Sequence, residues 1–271
     1  VPLPKCSNER CRSWRQLVPS AEYIEIMGPA LAVGLMVALM HAPMGIEVLR
    51  RGIVFIDLAI AQIAGLYVVL VKLWWHEPSW LLIQMAAAIS AVAAAVFFRW
   101  VEKAFPREQE AIIGSIFILA ASGALLALAD HPRGGEEMQH ILAGQILFVQ
   151  WMEVAIFSPV YVVAFALWFW RPVFRQGFAF FLLFAIVVTA SVQLVGVYVV
   201  FASLILPALA TSQANRRNTA IALVTGVASV IVGISLSTFR DLPAGPVMVF
   251  CFAAMAIAAR LIITRRQLGR E

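Results

Sequence analysis

FAFFLLFAIVVTASVQLVGVYVVFASLILPALAT, residues 178–211, runs for 34 residues without one charged side chain. As a straight α-helix it would be about 51 Å long, against a hydrocarbon core of roughly 30 Å. Such a stretch belongs in lipid, and it must break. Gly196, beside the polar Ser191 and Gln193, is the best place for the break. It leaves two short segments, of which the second ends in the Pro207 region.

The rest of the chain has the same character. Of 271 residues, 62% are hydrophobic and only 13% charged, where a soluble domain carries about 25%. Apolar segments run from about Ile26 to Met44, Ile53 to Trp74, Trp80 to Phe98, Ala111 to Leu128, Trp151 to Trp170, Thr219 to Thr238 and Pro246 to Ile263, on either side of the broken run. The alternating ten-residue pattern of a β-barrel is absent. The expected fold is an all-α polytopic membrane protein of about nine transmembrane helices, eight if the broken run crosses only once. Residues 1–21 read as a polar, basic tail without an apolar leader segment, 22–264 as the transmembrane domain and 265–271 as a cytoplasmic tail.

Charge placement sets an expected topology. Counted over alternate connections, Lys and Arg number 13 on one side and 3 on the other, which puts the C-terminus in the cytoplasm. Nine crossings then leave the basic N-terminal tail outside. Basic residues at segment ends explain the net charge of +5, so nucleic acid is not expected as a partner. Cys6, Cys11 and Cys251 are too few and too dispersed for a disulfide framework or a four-ligand zinc site.

Several chemistries are missing. No lysine follows a glycine, so no Walker A loop can cradle phosphates, and neither H-E-x-x-H nor G-x-S-x-G occurs. The chain is not expected to be an enzyme. Asp57 is the most informative residue, because a carboxylate barely a turn inside an apolar segment is costly and tends to mark a substrate path. The plainer reading pairs it with Arg50 or Arg51 at the membrane edge. Gln62, Gln84 and Gln193 are candidates for hydrogen bonds between helices. His41 and His76 are adequately explained at the surface. His131, Glu136, Glu137 and His140, in ADHPRGGEEMQH, form a possible external metal-attracting set or an ordinary polar loop. The stretch MAAAISAVAAAV (85–96) suits close helix packing through small residues, and the Trp residues of the fifth segment suit an aromatic belt.

Taken in order, MGIEVLRRGIVFIDLAIAQIAG (44–65), EAIIGSIFILAASGALLA (110–127), HILAGQIL (140–147), VGVYVVFASLILPALAT (195–211) and DLPAGPVMV (241–249) resemble the permeases of zinc-, manganese- and iron-type ABC importers. The resemblance covers most of the chain, about 44 to 263. It implies a type II ABC importer-like permease in a prokaryotic cell membrane, paired as a homodimer or with a similar permease. A cytoplasmic ABC ATPase would drive it, an extracytoplasmic metal-binding protein would supply it, and the divalent metal would be its substrate, with no tightly bound cofactor. The stretch Ser212, Gln213, Asn215, Arg216 and Arg217 would correspond to the ATPase coupling loop. Asp57 matches the Asp of the family's G-D-x-x-S-H pattern, but Ala61 stands where the His would be, with Gln62 beside it. Asp57 and Gln62 are therefore the expected residues of the path, and the lost imidazole leaves oxygen ligands, which manganese accepts readily. The rival readings are an ion-gradient-driven secondary transporter, which would usually need more intramembrane charges and an internal repeat, and an assembly subunit without a pathway.

Overall fold

The computed structural model describes residues 20–75, 78–128, 146–211, 218–240 and 242–268. Among them are nine α-helices and no strand: α1 Ser20–Arg51, α2 Ile56–Trp74, α3 Trp80–Ala104, α4 Gln109–Ala127, α5 Trp151–Trp170, α6 Gly177–Val195, α7 Val197–Ala210, α8 Asn218–Arg240 and α9 Ala244–Leu268. Eight of them are long and apolar enough to cross a membrane. The exception is α7, whose 14 residues span only about 21 Å. Helices dominate because lipid offers backbone N–H and C=O groups no partner, and a helix satisfies them within its own segment. Hydropathy alone marks only the lipid-immersed part of each helix. Thus α1 continues past Met44 to Arg51, α3 past Phe98 to Ala104, and α9 past residue 264 to Leu268.

Side-chain contacts fix which helix ends lie together. At the end of α1, the Arg51 guanidinium donates to Glu47 Oε1 at 2.9 Å, to Glu102 Oε1 at 3.1 Å and to the Arg175 carbonyl at 2.7 Å. This joins the ends of α1 and α3 to the start of α6. Arg99 also pairs with Glu102. The Arg51 guanidinium carbon lies 4.1 Å from the ring centroid of Phe180, which stacks on Phe184. Helix α8 runs antiparallel to α1, since Gly226 faces Ala38 whereas Val230 and Ile234 face Gly34. Arg260, late in α9, reaches the Leu209 carbonyl at the end of α7 at 3.4 Å. All these termini therefore share one basic end, and the start of α1, where Gly28 lies against Trp151 of α5, is at the other.

The long apolar run breaks at Gly196, whose φ of 80° and ψ of 162° belong to backbone that only glycine adopts readily. Ser191 and Ser203 lie on opposite sides of this break and meet the same imidazole, that of His41. In one straight helix those residues would be about 18 Å apart. The chain therefore turns back at Gly196, and α7 returns to the basic end that α6 left. The two arms splay onto different neighbours, α6 onto α3 and α7 onto α1 and α9. Small residues make both seams possible: Ala87, Ala91, Ala94 and Ala95 of α3 are buried, and Gly45 of α1 lies against the Leu204 carbonyl of α7.

Candidate functional site

Asp57 occupies the first turn of α2, at the basic end of the bundle, and is completely buried. Neither of its carboxylate oxygens has a hydrogen-bond partner in normal geometry among the described residues. The arginine pairing that its sequence position suggested does not form. Arg51 is committed to Glu47, Glu102 and the Arg175 carbonyl, and Arg50 lies 3.4 Å from Glu47. The backbone amides of Asp57 and Leu58, unpaired at the helix start, are the nearest favourable groups. An acidic side chain here gains from the helix dipole, yet its oxygens retain unused acceptor capacity.

The side chains around Asp57 are of three kinds. Ala61 and Gln62 follow it on α2 and are also buried, so the position one turn on offers a methyl group and not an imidazole. From the start of α4, Glu110 lies within electrostatic reach of Asp57. Its Oε1 accepts from the Phe55 amide at 3.2 Å, while its Oε2 is buried without a partner. Glu110 went unrecognised in the sequence because an acid at a segment boundary reads as punctuation. Only the packing of α4 on α2 brings it to Asp57. Among the described residues no group of three or more His, Cys, Asp and Glu side chains could hold a metal ion.

A second polar cluster lies deep in the bundle, at His41. Far from the surface, where the sequence suggested it, the imidazole is fully buried, because α1 extends ten residues beyond it. Its Nδ1 lies 2.7 Å from Ser203 Oγ, its Nε2 lies 3.0 Å from Ser191 Oγ, and Ser191 Oγ lies 2.7 Å from the Tyr161 hydroxyl. Ser191 and Ser203 can each donate instead to a carbonyl of their own helix, Val187 at 2.7 Å and Val200 at 2.9 Å, so in either neutral tautomer one ring nitrogen donates to a serine and the other accepts from one. The cluster thus ties α1 and α5 to both arms of the broken helix.

Other candidates separate cleanly. Gln84 donates to Gln193 at 2.7 Å, bridging α3 and α6. Glu153 caps its own helix by accepting from the Gln150 amide at 2.9 Å, which removes it from any path. Of the three Trp residues of α5, Trp151 and Trp170 are exposed, but Trp168 is buried beside Phe180 and Arg175 and belongs to the core. A cleft of roughly 410 Å³ between α1 and α5, lined by Met36, Leu39, Met40, Tyr161, Phe165 and Phe169 among others, carries no charged group. His76, the set His131, Glu136, Glu137 and His140, and Ser212, Gln213, Asn215, Arg216 and Arg217 lie outside the described residues, as do Cys6 and Cys11.

An all-helical, multi-span bundle whose backbone reverses within the bundle and whose best-buried acid lacks a counter-charge has the features of a membrane transport protein. The family model described as the ABC 3 transport family matches residues 23–179 and 172–263, and the chain belongs to that family. It is 22% identical over 255 residues to the high-affinity zinc uptake system membrane protein ZnuB of Haemophilus influenzae, covering 86% of this chain and 96% of the relative. It is 26% identical over 185 residues to the manganese transport system membrane protein MntC of Halalkalibacterium halodurans, covering 59% of this chain and 63% of the relative. The fold is shared with PsaBC from Streptococcus pneumoniae in complex with Fab, at a TM-score of 0.68, 16% identity and coverage of 93% of this chain and 95% of that one.

Proposed function

We propose that this chain is the membrane-spanning permease subunit of an ATP-binding cassette importer that moves divalent metal ions, zinc or manganese and as a third option iron, into the cytoplasm. The observation that carries the reading is Asp57: in a member of the ABC 3 transport family, a fully buried carboxylate without a counter-charge lies at an end of the helical bundle. Such a group is costly unless a cation or proton visits it. The zinc and manganese uptake systems named for its relatives support a metal as that cation.

The remaining assignments follow from this reading. Positive residues favour the cytoplasmic side, which supports an orientation with the basic end, and the C-terminus with it, facing inward. The ends of α7 and α8 that flank Ser212, Gln213, Asn215, Arg216 and Arg217 both lie at that end, so this stretch is the contact for a separate cytoplasmic ATPase. A metal-binding protein delivers from the opposite side, where His131, Glu136, Glu137 and His140 would attract the ion, and two permease copies enclose the path that Asp57 and Gln62 line. Alternating access uses the arms hinged at Gly196. ATP-dependent accumulation of zinc and manganese, in vesicles holding this chain with its ATPase and binding protein, tests the reading. Uptake that persists with a hydrolysis-dead ATPase, or no uptake of either metal, overturns it.

A further inference from the structure

Three carboxylate oxygens at the start of α2 and α4 are buried without a donor among the described residues: both of Asp57 and the Oε2 of Glu110. Two acids from different helices have been brought within electrostatic reach of each other, and the nearest arginines in sequence, Arg50 and Arg51, pair with other carboxylates. Left as they are, two neighbouring anions in low dielectric repel each other and forfeit their solvation. The fold nevertheless holds them in place. The remaining Glu110 oxygen is pinned by the Phe55 amide at 3.2 Å, two residues ahead of Asp57. This anchors the Glu110 carboxylate to the very turn that presents Asp57. Three buried acceptor oxygens left without a donor are complementary to a cation.

We propose that Glu110 is a second ligand of the transported ion, so that Asp57 and Glu110 together form an oxygen-only carboxylate site selecting an oxygen-preferring divalent ion such as manganese over zinc. The inference rests on the permease reading above and deepens it at the same site. Its chemistry follows from position 61. Where an imidazole on α2 would supply the nitrogen that suits zinc, this chain has the buried methyl of Ala61, and the additional donor comes instead from α4. Carboxylates plus water meet the octahedral oxygen preference of manganese, whereas zinc loses the nitrogen and sulfur ligands it favours in tetrahedral sites. Glu110 also has a plain structural role, capping the turn at Phe55. The two roles are separable, because the amide oxygen of a glutamine can accept the same hydrogen bond without the charge.

The experiment uses the full chain in lipid nanodiscs and manganese itself as the probe, with binding followed by electron paramagnetic resonance. Glu110→Gln is expected to weaken manganese binding at least tenfold, to leave the thermal unfolding midpoint of the metal-free protein unchanged or raise it by relieving the repulsion, and to lower the manganese-to-zinc preference. Wild-type affinity in Glu110→Gln alongside lost affinity in Asp57→Asn overturns the role of Glu110 while leaving the permease reading intact. That reading fails separately, in the ATP-dependent uptake assay. Should Glu110→Gln fold poorly, spin-echo spectra of manganese on the wild-type protein carry the test. Ligation without nitrogen modulation supports the site; a nitrogen ligand, or no bound manganese, overturns it.

Discussion

Gly45→Ala is the most sharply determined perturbation of this bundle. A methyl group built at Gly45 would stand 1.9 Å from the Leu204 carbonyl oxygen, 2.9 Å from its carbon and 3.2 Å from the Ala208 methyl. An acceptable carbon-to-oxygen contact is about 3.3 Å, so α1 and α7 would have to part locally by more than 1 Å. The obstruction is helix backbone and cannot rotate away. Overpacking of this kind costs about 1–3 kcal/mol. Parting the helices also stretches the 2.7 Å contact of His41 with Ser203, one turn away along α1, beyond hydrogen-bonding range. Leaving that buried pair unsatisfied adds about 1–3 kcal/mol. Together these give roughly 2–6 kcal/mol, or a midpoint lower by about 4–12 °C for a chain of this size. Thermal unfolding in detergent measures it, with Gly226→Ala as control. A methyl there meets Ala38 and Pro207 at 3.5 to 3.9 Å, ordinary contact distances, and should be neutral or slightly stabilising. If the two alanine variants unfold within about 1 °C of each other, the claimed backbone contact between α1 and α7 is wrong.

Gly196→Ala places a side chain at φ 80° and ψ 162° and should cost about 1–3 kcal/mol while slowing metal uptake, both measurable in the same vesicle preparation. His41→Ala removes the imidazole that joins Ser191 to Ser203 and should lower stability by about 1–3 kcal/mol, whereas a surface histidine would give no measurable change in midpoint. Arg51→Lys keeps the charge but loses the planar fork that serves Glu47, Glu102 and the Arg175 carbonyl at once; its midpoint should fall nearly as far as that of Arg51→Met. Equal midpoints for Arg51→Lys and the wild type would reduce the interaction to simple charge.

Much of the fold was legible because lipid leaves few alternatives. Uninterrupted apolar length specifies a helix, and 34 uncharged residues specify a break whose place Gly196 announces. The sorting of basic residues onto alternate connections anticipated which helix ends share the basic end of the structure. Asp57 stood out for the same reason, as an acid where burial is expensive. What only the tertiary structure decided were relations between segments distant along the chain. Hydropathy cannot tell a histidine near the end of an apolar run from one inside a longer helix, so His41 moved from the expected surface to the core. Nor can it see that the turn at Gly196 returns Ser203 to the level of Ser191, or that α4 delivers Glu110 to the first turn of α2. Periodicity and composition are properties of one segment, set by its own exchange between water and lipid. Which acid lacks a partner is a property of several segments packed together, and it is fixed only when the arginines nearest in sequence, Arg50 and Arg51, find their carboxylates elsewhere.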